Sequence, residues 1–215
     1  MIRLDILSDP ICPWCYIGKM SLDTALSGRD LNPFQVAWHP FQLNPDMPAE
    51  GMDRTAYLEA KFGGPDGAKA TYGRIEEAAQ AAGLEVRFDL IRRTPNTIDA
   101  HRVIRWAGVE GRQGPVVDQL FHRYFVAGQD ISDREVLVEI AHSAGLDGDV
   151  TRRLLDGDAD IADVRAEDAR AREMGVTGVP TFLVAGQYAL PGAQPPQTWQ
   201  KVIDELTAPQ ETPTH

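Results

Sequence analysis

The chain holds two cysteines in 215 residues, and both belong to one tetrapeptide, Cys12-Pro13-Trp14-Cys15. With no cysteine elsewhere, no disulfide can staple distant segments together, so the fold has to rest on a packed core. The composition supplies one: 43% of the residues are hydrophobic and 25% charged, the proportions of a globular chain and not of a collagenous, mucin-like or disordered one. A lone vicinal thiol pair suits a reducing compartment, where it is redox-active and not structural. No basic stretch followed by an apolar core opens the chain, so the expected location is the cytoplasm.

Periodicity places that pair between a strand and a helix. Ile2 to Leu7 alternates apolar and polar residues, and Ser8-Asp9-Pro10 ends the run. From Pro13 onward Ile17, Met20, Ala25 and Leu26 recur near helical spacing as far as Gly28. Phe34 to His39 alternates again, so the chain begins βαβ. Helical periodicity then runs through Asp53 to Phe62, Pro65 to Ala82, Thr97 to Ala107, Pro115 to Ala127 and Asp133 to Ala144. Ser132-x-x-Glu135 reads as a capping box for the last of these. A helix over Ala159 to Met174, short strands at Val179 to Val184 and Tyr188 to Leu190, and a helix over Pro196 to Leu206 complete the order.

That order predicts an α/β chain in which a thioredoxin fold is interrupted by an all-helical insertion. Residues 1–45 and 158–208 form the thioredoxin-fold domain, 46–157 the insertion and 209–215 a frayed tail. A CxxC beside a βαβ unit reads as a dithiol redox site. At a helix start Cys12 meets unpaired amides and the positive end of the dipole, which favour a thiolate, so Cys12 is the expected nucleophile. Cys15, one turn on along the same face, is the expected resolving thiol, less exposed and protonated. Pro13 fixes the turn, and uncharged Trp14 predicts a mildly oxidising pair. Two other readings stand beside this one. Half a zinc site would need two ligands from His39, His101, His122, His142 or His215, none of which pair at finger-like spacing. Two inert core cysteines is the other.

Gly178-Val179-Pro180-Thr181 puts a proline at the mouth of an apolar strand, a pattern in which a cis bond would hold backbone groups beside Cys12; the plain alternative is a trans proline starting an edge strand. Within Asn96 to Arg102, Asn96 or Thr97 reads as a helix cap, and both Asn96 and His101 are candidate cleft residues. For His101 a satisfied surface or core histidine is the favoured alternative. Trp14, Tyr16, Phe41 and Met47 could line an apolar groove or simply belong to the core.

Several segments, taken in order, carry a family likeness. Ser8-Asp9-Pro10-Ile11-Cys12-Pro13-Trp14-Cys15-Tyr16-Ile17-Gly18-Lys19 resembles the active-site stretch of the DsbA-like thioredoxin-fold family, in its FrnE-like branch. Pro40 to Pro48, Asn96 to Arg102, Gly178 to Phe182 and Gly192 to Pro195 resemble that branch's other motifs. The resemblance implies dithiol–disulfide exchange at Cys12 and Cys15, with substrate contact at Pro13, Trp14, Val179 and Pro180. The same superfamily includes 2-hydroxychromene-2-carboxylate isomerases and kappa-class glutathione transferases, which often carry serine where Cys12 stands. The intact dithiol favours a thiol–disulfide oxidoreductase over a glutathione-dependent isomerase or transferase acting on a small aromatic or polyketide metabolite.

The expected partners are a disulfide-containing protein or a small thiol, with glutathione as a candidate co-substrate, no tightly bound cofactor, no metal, and a homodimer as an open option. Lys and Arg total 21 against 32 Asp and Glu, a net charge of -11 with no basic stripe, which argues against nucleic acid. Apolar runs such as Val179 to Ala185 are too short to span a membrane.

Overall fold

Strand β1, Ile2–Ser8, is buried from Leu4 onward, polar Asp5 and Ser8 included. The reason is its position. In the computed structural model, which describes residues 1–208, β1 is an inner strand of a four-stranded sheet, flanked by the strands at Phe34–Pro40 and Thr181–Val184. The tail expected at 209–215, and His215 with it, lies outside the described residues. Both faces of the sheet are covered. Leu4 and Ile6 pack in one core cluster with Leu22, Phe182 and Trp199, while Leu7 packs with Phe41 and Ala171 on the other side, as successive strand residues must. Asp5, on the second face, is 4% exposed and hydrogen-bonded by Arg3 and by His39 Nε2 at 2.7 Å. Burial pushes its carboxyl up, and those two partners outweigh burial, leaving it below the ordinary carboxylate range.

Helix α1, Pro13–Leu26, joins β1 to the parallel strand β2, Phe34–Pro40. Strands β5, Thr181–Val184, and β6, Tyr188–Pro191, add an antiparallel hairpin on the far edge, with Ile6 opposite Phe182. Helix α9, Pro196–Thr207, packs against α1, and α8, Ile161–Glu173, packs against β2. This is a thioredoxin fold interrupted by a helical insertion, as the element order predicted. The open edge of β2 is closed by the insertion: Gln113 accepts from Trp38 N at 2.9 Å and donates to Trp38 O at 3.1 Å, so one side-chain amide stands in for a strand partner.

The insertion contributes α2, Arg54–Phe62; α3, Pro65–Ala81; α4, Ile98–Val109; α5, Gln113–Phe121; α6, Arg134–Ser143; and α7, Gly148–Asp156. A two-residue ladder pairs β3, Met52–Asp53, with β4, Arg93–Thr94. Three details depart from the sequence reading. The helix expected to Ala127 ends as α at Phe121 and continues as one π turn over His122–Val126. Helix α7 went unread: it is only nine residues long and buries just Thr151 and Leu155. The cap of α6 is Asp133, which accepts from Glu135 N; Ser132 instead donates to Asp130, so the capping box does not form. The main hydrophobic cluster runs unbroken from Leu4 and Phe182 through Val103 to Tyr124 and Ile140.

Candidate active site

The loop leaving β1 delivers Cys12 to the first position before α1, with Pro13 as the first helical residue. Pro lacks the amide that would be unpaired there, and the amides of Cys15 and Tyr16, expected to stand unpaired before Cys12, both donate to Cys12 O, at 3.0 and 3.3 Å. Asp9 braces this loop: its carbonyl accepts from Cys12 N at 2.9 Å, and its carboxylate accepts from Ile11 N at 3.3 Å and Leu43 N at 2.7 Å. The segment after β2 is thereby stitched to the dithiol loop, helped by Phe41 N on Ser8 O at 3.1 Å.

Both cysteines are unpaired thiols, 3% and 1% exposed. The sulfur of Cys12 donates to Val179 O at 3.5 Å. Burial pushes the Cys15 thiol well above its ordinary range, and the hydrogen bond and charge of Cys12 push it further, against donation from the Ser8 hydroxyl and the Asp9 amide. Cys15 thus holds its proton at neutral pH.

Val179–Pro180 is a cis peptide, so the motif pairing anticipated the bond. Pro180 O accepts from Gly192 N at 2.7 Å, and the Thr181 hydroxyl donates to Gly178 O at 2.8 Å, which fix this turn to the end of β6. A shallow groove of about 400 Å³ runs alongside, lined by Val176, Thr177, Val179, Pro180 and Pro191 among others. Cys12, Cys15, Val179 and Pro180 therefore come together. Pro13 is buried beside them and Trp14 is 38% exposed at the rim.

The other candidates lie elsewhere. Asn96 accepts from Ile98 N at 3.0 Å and donates to Met47 O at 2.6 Å, which makes it a cap and a tether. His101 is a core residue, but not a satisfied one: its Nε2 has no hydrogen-bond partner and stands 3.9 Å from Asp9. Burial lowers its pKa to about 4, so the ring is neutral at neutral pH. Tyr16 stacks on Phe121 and Phe125 and is half-buried, Phe41 and Met47 are buried, and Trp14 is the most exposed of the four groove candidates. Among the described residues, no group of three or more His, Cys, Asp or Glu is placed to hold a metal ion, and no helix is long and apolar enough to cross a membrane.

Three residues escaped sequence reasoning. Asp9 looked like part of a turn, and Ser8 like a strand end. Gly18 sits in mid-helix, where glycine costs about 1 kcal/mol against alanine, and that cost was the available clue to a close contact. A Cβ there would meet Pro180 Cγ at 3.1 Å.

Residues 3–204 match the family model of the DSBA-like thioredoxin domain, and the chain belongs to that family. Solved structures agree. The probable DsbA oxidoreductase SCO1869 of Streptomyces coelicolor is 31% identical, with a TM-score of 0.85 over 100% of this chain and 93% of that one. A 2-hydroxychromene-2-carboxylate isomerase is similar in fold at 15% identity and a TM-score of 0.72, covering 95% of each chain. So is the cytosolic disulfide reductase DsbM of Pseudomonas aeruginosa, in a structure with GSH, at 22% identity and 0.68, covering 95% of this chain and 98% of that one.

Proposed function

We propose that this chain is a thiol–disulfide oxidoreductase acting through Cys12 and Cys15. The observation that carries the reading is the asymmetry of the pair: one sulfur at a helix start beside the Val179 carbonyl, the other buried behind it and held protonated. The Cys12 thiolate attacks a substrate disulfide, the substrate S–S bond breaks, and one thiolate leaves and takes up a proton. Cys15 then loses its proton and attacks the Cys12 sulfur, releasing the second thiol. The protein ends as the Cys12–Cys15 disulfide, oxidised by the two electrons that reduced the substrate.

Protein disulfides and small thiols are both proposed substrates. Glutathione enters as a proposed co-substrate by analogy with DsbM, whose solved structure is with GSH. The proposed location is the cytoplasm, where a reducing pool keeps such a pair as a dithiol.

Insulin reduction by the full chain tests the reading. Cys12→Ser abolishes turnover, and Cys15→Ser accumulates a mixed disulfide with substrate, seen as added mass. Full activity in either variant would sink the mechanism. Tight glutathione binding that survives Cys12→Ser, measured by calorimetry, would favour the isomerase or transferase reading instead.

A further inference from the structure

One long run of the chain carries no charge. Residues 174–200 hold no Asp, Glu, Lys, Arg or His, the longest such run in a sequence that is 25% charged with a net charge of -11. Burial explains part of it, since Phe182, Val184 and Trp199 are core residues. It does not explain the exposed part: Met174 is 69% exposed and Tyr188 61%, and Gln187, Ala189 and Pro191 are exposed as well. These residues occupy the open edge of the sheet at β6 and the groove beside it, which Met174, Val176, Ala189 and Pro191 help to line. Water does not select against charge on the surface of an acidic chain, whereas a covering protein does.

The edge is also left open. At the opposite edge β2 is closed by Gln113, whereas among the described residues no segment pairs with the outer side of β6. Of the devices that blunt an exposed edge, charge above all, β6 carries only Pro191 at its last position.

Main-chain direction shows what this edge offers. Gly192 N donates to Pro180 O at 2.7 Å, so by the alternation of an antiparallel ladder Leu190 and Tyr188 also turn their main-chain groups toward β5. The far side of β5 agrees in phase: Ala185 N donates to Arg3 O at 2.8 Å, which assigns Leu183 and Thr181 to β1. Gln187, Ala189 and Pro191 therefore face outward. Gln187 N is taken by Val184 O at 3.1 Å and proline has no amide, so only Ala189 presents both a donor and an acceptor. An extended polypeptide laid along the edge would bond fully at that one residue. A second copy running antiparallel bonds there too, Ala189 to Ala189 across a twofold axis, and symmetry then makes every neighbouring contact twice.

We infer that two copies of this chain pair antiparallel along β6 with Ala189 on the twofold axis, joining their four-stranded sheets into one. That register sets Tyr188 of each copy opposite Leu190 of the other, an aromatic–aliphatic cross-strand pair that covers the exposed ring. It lays both grooves on the same face of the joined sheet, where Met174, Val176 and Pro191 of the two copies are covered together. Charge favours a second copy as the occupant. Two chains of net charge -11 repel each other, and a charge-free edge is where they approach at least electrostatic cost; a basic partner would be drawn to the acidic faces instead.

The test is sedimentation equilibrium of the full-length protein and of its Ala189→Lys and Ala189→Glu variants. Ala189 is exposed and outward-facing, so the fold accommodates either side chain. At about 50 µM the unsubstituted protein sediments with twice the mass of one chain. On a twofold axis each substitution sets like charges against each other, so each variant alone is a monomer, its dissociation constant raised about tenfold or more. An equimolar mixture of the two sets Lys against Glu and restores the dimer, which also shows that both variants are folded. An unsubstituted protein that stays monomeric at about 50 µM overturns the inference and leaves the edge to a different protein. Dimers that persist in either variant alone place the interface elsewhere and overturn it too. So does a mixture that stays monomeric, because position 189 would then not meet its own copy.

Discussion

The Asp9 carboxylate and the His101 imidazole face each other at 3.9 Å, both fully buried, behind the loop that carries the dithiol. The gap is too long for a hydrogen bond, so neither group offsets the other's loss of water. Burial raises Asp9 to about 7 despite hydrogen bonds from Leu43 N, Ile11 N and the Thr97 hydroxyl. Burial lowers His101 to about 4 against the pull of Asp168. Between about pH 4 and 6.5 the folded pair therefore holds one proton, on Asp9, and the unfolded chain also holds one, on the histidine.

Equal proton counts make two opposing pH effects cancel, and single substitutions expose them. The raised Asp9 stabilises the fold below its unfolded pKa of 3.8 and loses that contribution as pH climbs through 7. The depressed His101 does the reverse, its contribution being lost as pH falls from 6.5 through 4. Relative to the unsubstituted protein, His101→Gln loses stability as pH rises from about 4 to 6.5, and Asp9→Asn gains stability from about 4 to 7, each by at most about 1.4 kcal/mol per pH unit. Urea midpoints across that range check this, and three parallel profiles would contradict it.

Arg102 carries a different burden. It is 1% exposed, and its guanidinium donates to Ala159 O at 2.6 Å, Leu154 O at 2.5 Å, Gly157 O at 2.6 Å and Asp99 Oδ1 at 2.7 Å. Those carbonyls lie at and just beyond the end of α7, where helical amides run out, although Leu154 O also accepts from Gly157 N at 3.3 Å. Arg102→Met leaves them and Asp99 without their donor, and should cost about 3–5 kcal/mol. Arg102→Lys recovers less than half, because an ammonium cannot span the fork. Guanidinium unfolding measures both, and a loss under about 1 kcal/mol for Arg102→Met would refute the capping role.

What was legible in the sequence divides along physical lines. Strand alternation, the proline inside the CxxC and the Gly178 to Thr181 motif are local patterns, and they sufficed for the fold and for bringing Cys12 to Pro180. Asp9, Ser8 and Gly18 were not legible, because each acts through a partner far along the chain: Leu43, Phe41 and Pro180. No period or spacing encodes such a meeting. The burial of Asp5 was not legible for the same reason, since His39, its partner, arrives from the next strand.

The two sulfurs should also differ toward an alkylating agent. Cys15 is held protonated, first by burial and then by Cys12. Iodoacetamide at neutral pH should therefore add one label to the reduced protein, on Cys12, and none to the Cys12→Ser variant while it remains folded. Mass spectrometry of peptides locates the label. Equal labelling of both cysteines in the native protein would be incompatible with the asymmetry on which the proposed exchange depends.

Gly18 tests how the proline turn is held against the dithiol helix. A Cβ at this position would lie 3.1 Å from Pro180 Cγ, 3.2 Å from Phe182 Cζ and 3.4 Å from Ala193 Cα, so α1 seats directly on the turn that faces Cys12. Alanine would gain about 1 kcal/mol of helix propensity and lose a similar amount to the tight contact, leaving stability within about 1 kcal/mol of the original. The turn would still have to shift by a few tenths of an ångström, and insulin reduction should slow severalfold. Valine cannot be accommodated by so small a movement: Gly18→Val should cost about 1–3 kcal/mol and slow exchange further. Unfolding curves and exchange rates on the same samples separate the two effects. If both variants exchange at the original rate, the seating of Pro180 on α1 does not govern the reaction.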